Sequence, residues 1–235
     1  MTAGKVIAIV GAESTGKSTL ALVLAQRITE QTGLRCAVVG EYLRAWCARE
    51  GRTPRADEQH AIAAEQQRRI DSATADHDLV VADTMPLMVA VYSQLLFNDS
   101  SLLTMAAAAQ RKAAVTLLTA LDLPWVADGL QRDGEHVREP VDRAVRALLE
   151  AQGLGWSVVG GQGAARLEQA FAAVTPLLAT LAPAHAGLFT RLAERDAAMP
   201  AWHWVCETCD VPDCEHALLR QIGRASCRER VCLAV

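Results

Sequence analysis

In the stretch "IVGAESTGKSTL", Lys17, Ser18 and Thr19 follow a glycine that comes soon after the apolar run Val6–Val10. An ammonium group and two hydroxyls at the point where a buried strand stops suit one chemistry above others, the holding of a polyphosphate. Gly11, Gly16, Lys17 and Ser18 satisfy the pattern G-x-x-x-x-G-K-[ST]. The glycines let backbone N–H groups turn inward as an anion cradle, and the following helix points its positive end at the same spot. Lys17 adds a full charge on the β- and γ-phosphates, and Ser18 offers a hydroxyl to Mg²⁺. Ser14, Thr15 and Thr19 complete the set expected to bind ATP.

A phosphate loop alone names no reaction. Hydrolytic motors commonly end the metal-binding strand in Asp-Glu, whereas here "LVVADT" follows Asp83 with Thr84. The guanine-reading pattern Asn-Lys-x-Asp is absent from the chain. What remains is transfer to a bound acceptor, the work of a small-molecule kinase. Asp83 closes a buried strand, so its carboxylate is expected at the ligand edge of the sheet, holding Mg²⁺ directly or through water. The competing role for Asp83 is an N-cap of the helix that follows. Glu41 ends the second strand in "VVGEYLRAW" and can accept a hydroxyl proton during transfer, with Arg44 one turn later to steady it or a phosphate. A first-turn glutamate favoured by the helix dipole, with Arg44 on a solvated face, is the plainer alternative. Arg132 and Arg138, in and after a polar loop, are expected to close over the phosphates as transition-state charge develops. An exposed, arginine-rich helix start is the plainer reading of them. The turn "VVGGQGAAR" falls where the adenine is expected, and a simple helix entry explains it equally well.

These side chains need elements to carry them. Apolar runs bounded by turns predict strands over Val6–Val10, Arg35–Gly40, Leu79–Asp83, Ala114–Leu118 and Trp156–Gly160. Helical patterns lie between and after them: Lys17–Gln31, Tyr42–Arg49, Asp57–Ala75, Pro86–Phe97, Glu139–Gln152 and Ala164–Leu181. The alternation predicts an α/β fold, five parallel strands flanked by helices. The boundaries expected are a kinase domain over 1–182, a Cys/His-rich extension over 183–221 and a terminal stretch over 222–235.

Composition is consistent with this. The chain has 235 residues, 51% hydrophobic and 21% charged, enough for one sizeable core. A net charge of −4 argues against nucleic acid as a partner. No apolar run is long enough to span a membrane, and the N-terminal run ends in a glycine loop rather than a cleavage site, so a cytoplasmic location is expected.

"IVGAESTGKSTL", "EYLRAW", "QQRRIDSA", "LVVADT" and "PWVADGLQRDGEHVR" resemble, in order and spacing, the ribosylnicotinamide kinase domain of NadR proteins. The resemblance covers roughly residues 5–175. It implies an ATP-dependent kinase of the P-loop branch that includes adenylate and thymidylate kinases, phosphorylating nicotinamide riboside to nicotinamide mononucleotide. By position it carries over Lys17, Ser18, Glu41, Arg44, Gln67, Asp83, Asp128 and Arg132, which makes Gln67 and Asp128 candidate acceptor contacts. The family often has a second acid two residues after the strand-end aspartate, where this chain has Met85. The adenylyltransferase half of full-length NadR proteins has no counterpart here. An ATP-binding regulator without acceptor turnover is the alternative from another functional class.

Five of the seven cysteines crowd into the C-terminal part. Cys206, Cys209, Cys214 and His216 have a spacing that can close a tetrahedral Zn²⁺ site, with reduced free thiols as the competing reading. The stretch "IGRASCRERVCLAV" resembles a translated cloning or adapter tail, and residues 222–235 are set apart from functional reasoning for that reason.

Overall fold

A computed structural model describes residues 3–126 and 134–181. Five strands form one parallel sheet: β1 (Lys5–Val10), β2 (Cys36–Val39), β3 (Leu79–Asp83), β4 (Ala113–Thr119) and β5 (Ser157–Val159). Their spatial order is β2-β3-β1-β4-β5, with every pairing parallel. All five fall where the sequence places them, β3 without any shift and no end of the others moved by more than one residue.

β1 runs through the middle of the sheet and is apolar on both faces, as a parallel strand covered by helices must be. Its alternate side chains divide between two cores. Val6, Ala8 and Val10 pack with Ile70, Met88, Val145 and Leu149 on one face. Ile7 and Ile9 pack with Leu20, Leu24, Ile28, Val174 and Leu178 on the other. Ile7 and Ile9 have no solvent exposure, and burial of each contributes about 1.5–3 kcal/mol.

The helices that supply these faces are α1 (Lys17–Thr32), α2 (Tyr42–Glu50), α3 (Gln59–Asp76), α4 (Pro86–Phe97), α5 (Leu103–Gln110), α6 (Arg138–Ala151) and α7 (Ala164–Leu181). α1 and α7 cover one side of the sheet, and α3, α4 and α6 the other. One-turn 3-10 helices at Ala56–Glu58 and Glu135–Val137 lead into α3 and α6. Two starts therefore differ from expectation: α3 begins at Gln59 rather than Asp57, and α6 at Arg138 rather than Glu139. The sequence reading also has no counterpart for α5. Its "LTMAAAAQ" is a strong helix former, but it is apolar or small almost all round, so no 3.6-residue alternation marks it. Ala106 and Leu102 pack there with Trp46, Ile62 and Val89 in a third, smaller core.

The topology sets the site. Ile9 pairs with Asp83, and Val39 with Ala82, so β1, β2 and β3 end side by side and release their loops at one edge. The phosphate loop leaves β1 there, between the ends of β3 and β4.

Candidate active site

The loop from Gly11 to Gly16 is shaped by its neighbours in the sheet. Gly11 has φ +144°, and a Cβ on it would stand 2.2 Å from the Thr119 hydroxyl at the end of β4. Only glycine fits this approach. Thr15 is fully buried; its hydroxyl bonds the Ala12 carbonyl at 2.8 Å and lies 2.7 Å from the Thr119 hydroxyl. The Thr15 side chain thus faces protein, leaving its backbone to serve a ligand. Ser14 takes φ +53°, and its hydroxyl donates to the Val126 carbonyl at 2.7 Å while accepting the Val126 N–H at 3.1 Å. Gly16, at φ +75°, is the N-cap of α1 and has no side chain to cap it, so the first amides of the helix are left for an anion. Lys17 folds its Nζ onto the Ala12 carbonyl at 2.7 Å. Ser18 is half-buried in the first turn of α1, and Thr19 is exposed.

A buried cation braces this loop from behind. Arg166 in α7 is 5% exposed and donates to the carbonyls of Thr15 at 3.1 Å, Val159 at 3.3 Å and Gly161 at 2.8 Å. Its remaining terminal nitrogen pairs with Asp122, which also accepts the Gly161 N–H. The phosphate loop, the end of β5 and the glycine turn after it are thereby fastened to one guanidinium. In the sequence Arg166 closes the stretch "VVGGQGAAR", where nothing local marks this bracing role.

The ends of β2 and β3 supply the acids. Asp83 is 4% exposed, and its Oδ1 has no hydrogen-bond partner. It does not cap the next helix: the N-cap of α4 is Met85, followed by Pro86 at N1. Glu41 does occupy the N-cap position of α2, in extended backbone, yet its side chain makes no capping bond. Its Oε2 lies 3.8 Å from Arg44 Nε, a contact worth about 0–1 kcal/mol for a half-exposed pair. Neither carboxylate is therefore committed to holding a helix end. A carboxylate oxygen without a donor, at the same sheet edge as the half-buried Ser18 hydroxyl, fits a hydrated Mg²⁺ that Asp83 and Ser18 would hold.

Thr84 stands between Asp83 and the N-cap of α4 with φ +81°. A β-branched residue in that region costs about 1–3 kcal/mol. The conformation is pinned at both ends, by the Thr84 N–H to the Ile9 carbonyl at 3.1 Å and by Gln66 Nε2 to the Thr84 carbonyl at 3.1 Å. Gln66 is 1% exposed, and its Oε1 accepts the Tyr42 N–H at 2.7 Å. One amide thus links the loop that carries Glu41 to the loop that carries Asp83.

Between these parts lies a cleft of about 380 Å³. Its lining combines polar residues, among them Glu13, Lys17, Glu41, Arg44 and Thr84, with apolar ones such as Leu43, Pro54, Met88, Tyr92 and Phe97. The segment carrying Thr53 and Pro54 is held by Arg52, which bonds Glu58 at 2.7 and 2.6 Å and lies 4.9 Å over the Trp46 ring. The Arg52 guanidinium, with the Arg55 backbone N–H, draws the Glu58 carboxyl down to about 2.

The structure thus brings Lys17, Ser14, Glu41 and Arg44 around one cleft, with Asp83 and Ser18 at the same edge of the sheet. Gln67 is not brought there; it bonds Asp71 at 2.8 Å on α3, and the neighbouring Gln66 faces the strand ends instead. Arg138 opens α6 at 4% exposure, and its Nε and one terminal nitrogen lack hydrogen-bond partners. Asp128 and Arg132 lie outside the described residues, as do Cys206, Cys209, Cys214, His216 and the stretches 183–221 and 222–235. Among the described residues no helix is long and apolar enough to cross a membrane, and no group of three or more His, Cys, Asp or Glu side chains is placed to hold a metal ion.

No curated protein sequence matches the chain. A solved structure of NadR protein in complex with NR is similar, with a TM-score of 0.63 and 21% identity over 77% of this chain and 53% of that one. A NadR protein in complex with NAD and AMP-PNP is also similar, with a TM-score of 0.57 and 19% identity over 75% of this chain and 50% of that one. The chain spans about half the length of the NadR chains it matches. The resemblance to NadR kinase domains drawn from the motifs therefore holds for the fold. A family model described as an AAA domain matches residues 6–166, which covers the phosphate loop, both strand-end acids and Arg166, and the chain belongs to that AAA domain family.

Proposed function

We propose that this domain is a nucleoside kinase that transfers the γ-phosphate of MgATP to the 5′-hydroxyl of a nucleoside, with nicotinamide riboside as acceptor and nicotinamide mononucleotide as product. One observation carries the reading: Lys17 of the phosphate loop and Glu41, whose carboxylate caps no helix, line the same cleft. A lining that mixes charged and hydroxyl groups with apolar side chains suits a molecule that joins a sugar to a flat ring. Asp83 is followed by Thr84, so no adjacent glutamate stands ready to polarise a water.

In the mechanism that follows, the loop amides and Lys17 bind the β- and γ-phosphates, Lys17 leaving the Ala12 carbonyl to do so. Ser18 and Asp83 hold Mg²⁺, which supplies charge neutralisation on the phosphate oxygens when bound. Glu41 accepts the proton of the attacking hydroxyl, and Arg44 holds that carboxylate in place. Arg138, buried with two N–H groups unmet, offers a guanidinium to the phosphates. Nicotinamide is named by the resemblance to NadR proteins and by the NadR structure described in complex with NR; no side chain in the cleft singles out that ring.

The test is ATP consumption across a panel of nucleosides that includes nicotinamide riboside and thymidine. Stimulation by nicotinamide riboside is expected, with Glu41→Gln lowering kcat by about 10²-fold while ATP affinity is kept. Stimulation by another nucleoside alone keeps the kinase and replaces the substrate. ATP binding with no stimulation by any nucleoside replaces the kinase with an ATP-binding regulator.

A further inference from the structure

Resting on that kinase reading, we propose that the Thr84 hydroxyl is a binding group for the phosphate acceptor, hydrogen-bonded to a sugar hydroxyl of the nucleoside. Three observations converge on it. Thr84 lines the cleft, yet is only 3% exposed. Its Oγ1 has no hydrogen-bond partner, although buried hydroxyls are almost always satisfied. Its backbone sits at φ +81°, where glycine would be free of strain and where a β-branched side chain is rarely found. Glycine would serve the turn alone. What threonine adds at this position is the hydroxyl.

The surroundings say where the partner must come from. The Thr84 N–H and carbonyl are engaged by Ile9 and Gln66, and neither bonds the Thr84 hydroxyl. Met85, which follows, is fully buried in apolar core and offers no polar group. The remaining open side is the cleft. A threonine hydroxyl both donates and accepts, as a sugar hydroxyl does, whereas a phosphate oxygen only accepts. Thr84 also directly follows Asp83, which places the contact at the boundary between donor phosphate and acceptor sugar.

Steady-state kinetics with MgATP and nicotinamide riboside test this. Thr84→Val keeps the shape and the branching and removes the hydroxyl. It should raise the KM for the nucleoside about 5- to 20-fold and leave the KM for ATP within about twofold. Thr84→Ser should return the nucleoside KM toward wild type. Without ligand, Thr84→Val should melt no lower than wild type, because the hydroxyl it removes is buried and unsatisfied. An active Thr84→Val with unchanged nucleoside kinetics overturns the proposal alone. An equal rise in the ATP KM assigns the hydroxyl to the donor and also overturns it, as does a Thr84→Val that melts clearly below both wild type and Thr84→Ser. A wild-type protein that no nucleoside stimulates overturns the kinase reading and this proposal with it.

Discussion

The two ends of the cleft are finished to different degrees. At the phosphate end the loop's lysine and hydroxyls already have partners within the protein: Lys17 on Ala12, Ser14 on Val126, and Thr15 on Ala12 and Thr119, with the Thr15 carbonyl on Arg166. Glu13 Oε2 and the first amides of α1 are what that end leaves open. At the other end Thr84 Oγ1 is buried without a partner, on backbone held in a strained conformation, and Asp83 Oδ1 beside it in the chain is unpartnered as well. The phosphate end is a preformed mould in which a ligand exchanges one set of bonds for another. The other end bears the cost of an unmet buried hydroxyl, which a hydrogen-bonding ligand would relieve. On the proposed kinase reading, the donor would meet the preformed end and the acceptor the end with an unmet group to satisfy.

The largest expected effect strikes the mould. Lys17→Ala should lower phosphoryl transfer by on the order of 10³-fold while the melting temperature stays near wild type, because Lys17 is half-buried and belongs to no core. A variant as active as wild type would remove the phosphate loop from the chemistry and the contrast between the two ends with it.

Arg166→Met is next. It takes the Arg166 donor from the Thr15 and Gly161 carbonyls and the cation from Asp122, while the Val159 carbonyl keeps the Ala120 N–H at 2.9 Å. Asp122 is 38% exposed and water can compensate it, so the expected loss is about 2 kcal/mol in denaturant unfolding, with weaker ATP binding. If ATP affinity falls and the nucleoside KM does not, the two ends are mechanically separate, as the bonding pattern implies. A loss of stability with ATP affinity unchanged would mean that the shape of the loop does not depend on this brace.

The smallest effect lies in the segment that lends Thr53 and Pro54 to the cleft. Glu58 has a folded pKa near 2, lowered chiefly by Arg52 and below its ordinary 4.5. A lowered carboxylate pKa contributes stability that is fully present above about 4.5 and fades as pH falls through 2. Wild type should therefore exceed Glu58→Gln in stability at pH 6, and the gap should close between pH 4.5 and 2. A gap independent of pH would show that the pair acts through packing of Arg52 on Trp46 rather than through charge.

What the sequence revealed follows the same division. The phosphate loop was legible because its function dictates residue types at fixed spacing, and the sheet because fully buried strands read as unbroken apolar runs. Glu41 and Asp83 could be placed because the last residue of a parallel strand emerges at the ligand edge. Gln67 came from the NadR resemblance, and nothing in "QQRR" marks its neighbour Gln66, one residue and a 100° rotation away, as the amide that joins the two loops. α5 was missed because alanines give propensity without periodicity. Thr84 and Arg166 stayed hidden for another reason: a backbone dihedral and a three-carbonyl clasp are products of tertiary contact, and neither leaves a mark in local composition.

The near-contact between Gly11 and Thr119 bears on how portable this machinery is. The curve of the loop is set as much by the tip of β4, a strand more than a hundred residues away in the chain, as by the loop's own letters. A segment copied from Gly11 to Ser18 into another scaffold would carry the right amides and the wrong mould, unless a small hydroxyl stood at the neighbouring strand end to receive it. The inheritable unit is thus a pair of adjacent strand tips, and a library that varied Thr119 together with the loop would search shapes that varying the loop alone cannot reach.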